Sequence, residues 1–212
     1  MIPEFNNQVG NPALDLVYEV VEPILLIISI ASERIIDERL VNAQSSENEI
    51  TEQLCKKMIE EKTRLNKKLR IEEEVGTFHT IAGRIDFKII YSPDEREYFG
   101  IECKRLRGKR RGLDKKYVTE GMMRFVRGKY SYAHQWGMMV GYVIDGTCER
   151  AIQLVRERID EYRVSLHIEE EFAIETRFGN YPFLYSSRHR QQITSTILTI
   201  LHYFFDIPPA IN

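Results

Sequence analysis

Arg84-Ile85-Asp86-Phe87-Lys88-Ile89-Ile90, followed after a short polar break by Tyr98-Phe99-Gly100-Ile101-Glu102-Cys103-Lys104-Arg105-Leu106, decides how this chain folds. Both runs are rich in β-branched and aromatic residues and read as strands. The break contains Ser92-Pro93-Asp94-Glu95-Arg96, in which Pro93 is pre-set for the first corner of a turn. Side chains alternate along a strand, so Glu102 and Lys104 share one face and Ile101 and Cys103 the other. A hairpin centred on residue 94 sets Asp86 opposite Glu102, with Cβ atoms about 4.5–5.5 Å apart. Two carboxylates that close repel unless a cation sits between them. A hard divalent ion such as Mg2+ suits such a cage. Lys104, one pleat further on, can then orient or help deprotonate a metal-bound water, or stabilise charge developing on a phosphate. The spacing is Asp-x15-Glu-x-Lys. The plain alternative is a surface hairpin with a cross-strand ion pair, since acid-x-Lys alone is common.

Working outward, residues 12–40 read as one long helix or two short ones. Leu14, Val17, Val21, Leu25 and Ile28 recur at helical spacing, while Asp15, Glu19 and Glu22 form a solvated face. Pro23 is a candidate kink, and the apolar run from Ile24 to Ile30 is expected to pack on a partner or on the main domain. Residues 42–48 are a polar break. Ser46-x-x-Glu49 has capping-box spacing and announces a helix through Ile50, Leu54 and Met58 that ends near Arg64. Leu69 to Val75 reads as a further strand. Beyond Leu106 the pattern predicts a helix from Tyr117 to Gly128, a buried strand from Trp136 to Ile144 and an amphipathic helix over 147–163. Strands are expected at Phe172–Phe178, Phe183–Arg190 and Ile193–Phe205. The order implies an α/β protein with a mixed sheet flanked by helices, divided into an N-terminal helical extension (1–45) and a main domain (46–212).

Composition narrows the class. The chain has 212 residues, 29% charged and 43% hydrophobic, with a formal net charge of −2. These values are ordinary for a soluble globular protein, so any nucleic-acid partner must be held by a local patch. Cys55, Cys103 and Cys148 are odd in number and widely spaced, which argues against a disulfide framework or a zinc site and fits a reducing cytoplasm. No basic n-region opens the chain, so no signal peptide is expected. The run from Pro23 to Ala31 is far short of the roughly 20 residues that span a bilayer, so no membrane segment is expected either.

Gly83-Arg84-Ile85-Asp86-Phe87 with Gly100-Ile101-Glu102-Cys103-Lys104-Arg105-Leu106 resembles the PD-(D/E)xK, or restriction-endonuclease-like, nuclease superfamily. The resemblance implies an α/β/α core over about residues 46–144. It also implies Mg2+ (with Mn2+ able to substitute) on Asp86, Glu102 and the Cys103 backbone carbonyl, with Lys104 serving the nucleophilic water. Ile85 stands where the family name has proline. Many members carry a further acid on the first core helix, for which Glu49 and Glu52 are the candidates, Glu49 preferred as a catalytic and metal residue. A supporting role falls to the helix after the lysine strand, where Tyr117, Glu120 and Arg124 share a face at i, i+3 and i+7, although the Gln-x-x-x-Tyr signature of the exonuclease branch is missing. Residues 117–130 and 137–142 also resemble nuclease components of bacterial restriction and phage-defence modules. The expected function is thus Mg2+-dependent phosphodiester hydrolysis, most favourably in DNA, within an antiviral defence or restriction system. A homodimer, or a complex with another protein such as a helicase or ATPase, would supply target selection. The alternative is a catalytically silent nucleic-acid-binding or assembly subunit.

Between Lys104 and Lys116 there are eight Lys or Arg residues in thirteen, against one acid, Asp114. Arg84, Arg105, Arg107, Lys109, Arg110, Arg111, Lys115 and Lys116 are therefore candidate phosphate contacts, with Arg124, Arg127 and Lys129 extending the track. Gly108 and Gly112 suggest a loop that is mobile until nucleic acid arrives. His189 reads as a surface histidine at a strand edge, and His134 and His202 as structural. Trp136, Tyr130 and Tyr132 read as core residues rather than base-stacking platforms.

Overall fold

The computed structural model describes residues 17–76, 84–91, 98–130, 135–179 and 181–210. The expected turn at 92–97, the residues Leu14, Asp15, Gly83, Tyr132 and His134, and the Arg84 side chain lie outside the described set.

The chain begins with helix α1 (Glu22–Asp37), entered through a π-helical turn at Val17–Val21. Pro23 falls in its first turn, just after the π-helical turn, whose last residue, Val21, is itself in helical conformation. Helix α2 (Glu47–Arg64) carries the capping box in full: Glu49 N donates to Ser46 Oγ at 3.2 Å and Ser46 N donates to Glu49 Oε2 at 2.7 Å. Strands β1 (Arg70–Gly76), β2 (Arg84–Ile90) and β3 (Tyr98–Leu106) follow. Helix α3 occupies residues 113–126 as two short α-helical ends, Leu113–Lys116 and Met123–Val126, around a π-helical middle, Tyr117–Met122. Strand β4 (Trp136–Val143), helix α4 (Cys148–Glu161) and strands β5 (Ile168–Ile174), β6 (Leu184–Arg190) and β7 (Ile197–Asp206) complete the chain.

The strands form one seven-stranded mixed sheet in the order β1-β2-β3-β4-β7-β6-β5. The β3–β4 and β4–β7 pairs are parallel, and the others antiparallel. Helices cover both faces. Ile24, Leu25, Ile28, Ile50, Leu54 and Met58 of α1 and α2 pack with Phe87, Ile101, Cys103, Met138, Val140 and Tyr142 on one side. On the other, Val118, Met122, Phe125, Ile152 and Val155 of α3 and α4 pack with Leu106, Met139, Ile200 and Phe204. Alternation along β4 thus feeds two cores, as expected for a strand buried on both faces. Helix α1 belongs to the first core, and Ser32 Oγ lies 3.1 Å from the Tyr203 hydroxyl. The described part of the expected N-terminal extension is therefore a layer of the domain, not an appendage. No helix among the described residues is long and apolar enough to cross a membrane.

Two strands sit away from their expected places. β5 starts at Ile168, ahead of the expected Phe172, because the acids at its start are paired rather than merely solvated: Glu169 and Glu170 meet Arg190 and Arg188 of β6. β7 starts at Ile197 rather than Ile193, since residues 191–196 form a turn held by Thr194 and Gln191, with Ser195 at φ 57°.

Candidate active site

The hairpin expectation is met in its register. Every β2–β3 pair, from Ile90 with Tyr98 to Phe87 with Ile101, has its midpoint at residue 94. The pairing stops at Phe87 and Ile101. Ile85 packs in the α3/α4 core and Phe87 in the α1/α2 core, although neighbours two apart on a regular strand share a face. β2 leaves β3 at this point, while its pairing with β1 holds one register from Ile90 to Arg84.

This departure opens a notch along β3. Alternate backbone N–H groups of a strand point to the same neighbour, so those of Cys103 and Arg105 lose their partners where β2 leaves. Side-chain carboxylates replace the missing carbonyls. Cys103 N donates to Asp86 Oδ2 at 2.6 Å, and Arg105 N donates to Glu47 Oε2 at 3.0 Å. The other Glu47 oxygen accepts from Lys104 Nζ at 2.9 Å. Lys104 also pairs with Glu102 Oε1 at 2.9 Å and donates to the Cys103 carbonyl at 2.8 Å. From α3, Arg124 Nη1 donates to the same Glu102 Oε1 at 3.0 Å and to the Tyr130 hydroxyl. Glu102 Oε2 is buried and has no hydrogen-bond partner.

The electrostatics follow from burial. Glu102 is 1% exposed. Its loss of solvent, reinforced by the Asp86 charge, pushes its carboxyl up to about 7 against the pull of Lys104 and Arg124. Burial also raises the Asp86 carboxyl, with Lys104 and the Cys103 N–H opposing. For Lys104, burial works against the ammonium, but Glu102, Glu47 and Asp86 outweigh it and hold the group charged well above its ordinary range. Among the described residues no three His, Cys, Asp or Glu side chains make a ready cage for a metal ion. What the notch offers is three carboxylates, Asp86, Glu102 and Glu47, around one lysine, with one carboxylate oxygen buried bare.

Asp86, Glu102 and Lys104 are thus brought together, and the fourth acid is corrected. Glu49 does not join them, because its carboxylate is the reciprocal half of the capping box. Glu52 pairs with Lys56 on the exposed side of α2. Glu47, the first residue of the helix, reaches the notch instead. The expected Tyr117–Glu120–Arg124 face also breaks up. Glu120 is exposed, and Tyr117 is buried with its hydroxyl 2.9 Å from His202 Nδ1. Only Arg124 reaches the acids. The π-helical turn between these residues adds rotation that α-helical spacing does not anticipate.

The basic stretch is more heavily paired than its composition suggests. Arg107 faces Asp145 at 3.6 Å, and Arg111 meets Glu157 and Glu161 of α4. Lys109, Arg110, Lys115 and Lys116 are exposed. Gly108 is no hinge: it is buried, its N–H donates to the Asp145 carbonyl at 2.7 Å, and a Cβ there would lie 2.9 Å from Thr147 N. Gly112 has φ 133° in open space, a conformation that favours glycine. His189, expected at the surface, is buried on an interior strand. Its Nδ1 donates to the Leu166 carbonyl, and Ser187 Oγ bridges it to His202 at 2.7 and 2.9 Å. His202 is structural, and Tyr130 belongs to the buried core.

Set against protein-family models, curated proteins and solved structures, the chain matches none.

Proposed function

We propose that this chain is a divalent-metal-dependent nuclease with a restriction-endonuclease-like core, hydrolysing phosphodiester bonds in DNA. One observation carries the reading: where β2 leaves β3, the Glu102 Oε2 oxygen is buried without a partner beside Asp86 and Lys104. A buried acceptor left bare is costly, and a cation there relieves both that cost and the repulsion from Asp86. Asp86, Glu102 and the Cys103 carbonyl would hold Mg2+ or Mn2+, with water filling the remaining positions. When bound, such an ion supplies Lewis-acid stabilisation of phosphate charge and makes a water more acidic.

The rest of the chemistry belongs to the chain. Asp86 and Glu102 set the negative field that draws the ion in. Lys104, kept charged by Glu102 and Glu47, serves as a cation for the developing phosphate charge rather than as a base. Glu47 aims it. Arg124 and Lys104 together occupy Glu102 Oε1 and leave Oε2 facing inward, unshared.

The test is cleavage of labelled DNA with Mg2+ or Mn2+, with Lys104→Ala beside the wild type. Loss of cleavage with binding retained supports the assignment; cleavage that survives the substitution overturns it. A silent nucleic-acid-binding subunit is the second reading, favoured by the small number of converging acids. It predicts salt-sensitive binding with no cleavage under either metal.

A further inference from the structure

Arg105 differs from the paired arginines of α3, α4 and the basic stretch, and from Arg110, which is exposed. Arg107 has Asp145, Arg111 has Glu157 and Glu161, Arg124 has Glu102, and Arg158 has Asp114. No carboxylate among the described residues pairs with Arg105, and its Nε is buried with no hydrogen-bond acceptor. Glu47 does not serve it: its carboxylate takes Lys104 Nζ and the Arg105 backbone N–H, and the Arg105 Nε reaches neither oxygen. That shared carboxylate also fixes where Arg105 stands. It follows Lys104 on β3 and leaves the strand on the opposite face, beside Tyr142 of β4, so the two basic side chains straddle the strand where β2 has departed. A buried guanidinium N–H without an acceptor is a seat awaiting one, and the planar fork of arginine matches phosphate oxygens in pairs.

From this arrangement we infer that Arg105 is the seat for a second phosphodiester group, neighbouring the one attacked on the same nucleic-acid strand. It rests on the nuclease reading only for where the scissile group lies. The basic stretch is then divided in function: Arg105 is the specific phosphate contact, while Arg107 and Arg111 brace the loop against Asp145 and α4. The contact is to backbone, so it is independent of base sequence.

Binding of a short labelled DNA, as duplex and as single strand, is measured by anisotropy across a salt series. The buffer contains Ca2+ or EDTA, and the proteins are the full chain as wild type, Arg105→Gln, Arg105→Lys and Arg111→Gln. The expected result for Arg105→Gln is binding roughly tenfold to a hundredfold weaker and a salt slope shallower by about one phosphate's worth. Arg105→Lys, which keeps the charge but loses the fork, should recover part of the affinity, and Arg111→Gln should stay near wild type. Melting curves show that each variant is folded, and Arg105→Lys keeps the comparison open if Arg105→Gln is not. Equal loss in Arg105→Gln and Arg111→Gln overturns the seat, because the basic stretch then acts only as diffuse charge. Unchanged binding in Arg105→Gln overturns it too, leaving a water as the acceptor. Competition by inorganic phosphate as strong as by DNA reassigns the seat to a free anion and refutes the strand contact. Each of these outcomes can occur with Lys104-dependent cleavage intact, which separates failure of the seat from failure of the nuclease reading. A wild type that neither binds nor cleaves sinks both.

Discussion

Replacing Glu102 with glutamine should stabilise the metal-free protein at high pH, although Glu102 holds two ion pairs. The residue is 1% exposed, its Oε1 takes Lys104 and Arg124, and its Oε2 takes nothing. Its carboxyl is pushed from the ordinary 4.5 up to about 7, so folding favours the protonated form. Below 4.5 both folded and unfolded chains hold the proton, and no penalty exists. Between 4.5 and about 7 the unfolded chain ionises first, and the folded state loses stability as pH rises. Above that window the loss is complete, at about 3 kcal/mol for the shift cited. Glutamine never ionises, but its amide NH2 inherits the place without a partner, at about 1–2 kcal/mol. The net expectation is a variant less stable than wild type at pH 4 by about 1–2 kcal/mol and more stable at pH 8 by a similar amount. At pH 8 that corresponds to a melting temperature about 2–8 °C higher for a chain of this size. The assay is urea denaturation of both proteins in EDTA from pH 4 to 8, repeated at pH 8 with Mg2+ or Mn2+. The metal should raise wild-type stability and leave the variant unmoved. A variant less stable than wild type by a constant amount at every pH would refute the reasoning. Glu102 would then be the counter-ion of Lys104 and Arg124 and no more.

Three other outcomes follow from the same geometry. Glu47→Gln should lower cleavage by roughly one to two orders of magnitude, since Lys104 and the Arg105 N–H lose a shared carboxylate; Glu49→Gln should lower the melting temperature through the capping box and leave turnover alone. Gly141→Ala should cost roughly 1–3 kcal/mol by denaturant titration, because its Cβ would lie 2.5 Å from Phe204 Cδ1 and 2.8 Å from Leu106 Cδ1. Gly121→Ala should cost less, as its main obstacle is the movable end of Met139. His189 is buried and pushed down from 6.5 to about 4, so stability is full above 6.5 and falls with pH through that window by up to about 3 kcal/mol. Because this slope opposes that of Glu102, it is best measured in Glu102→Gln; His189→Gln in that background should reduce it without removing it, since burial also holds His202 well below its ordinary range.

How much was legible from residues alone depended on whether the deciding interaction was local. The register of β2 and β3 was readable because alternation and one turn fix it, and the pairs keep their midpoint at residue 94. The same reasoning could not show that β2 parts from β3 at Asp86, where Ile85 and Phe87 enter different cores. Glu47 was missed for a related reason. Its partners are a lysine and a backbone N–H 57 and 58 residues away, and only the departure of β2 exposes that N–H. A signal was present nonetheless: Ser46-x-x-Glu49 assigns Glu49 to the helix end, which makes Glu49 the acid least able to serve elsewhere. Arg124 is singled out on α-helical spacing and reaches Glu102, whereas Tyr117 and Glu120 fall in the π-turn Tyr117–Met122 and do not share its face. Ser187-Arg188-His189-Arg190 reads as surface because nothing in those four residues reveals β5 and β7 on either side. The misreading of β6 lies elsewhere in the sheet, but three departures gather in one place. The parting of β2 from β3, the π-turn in α3 and the bare Glu102 oxygen all lie within reach of Lys104, where local preference has been overridden. Departures of that kind concentrate at functional sites, and their convergence on one lysine supports a working site there more strongly than the spacing Asp-x15-Glu-x-Lys does.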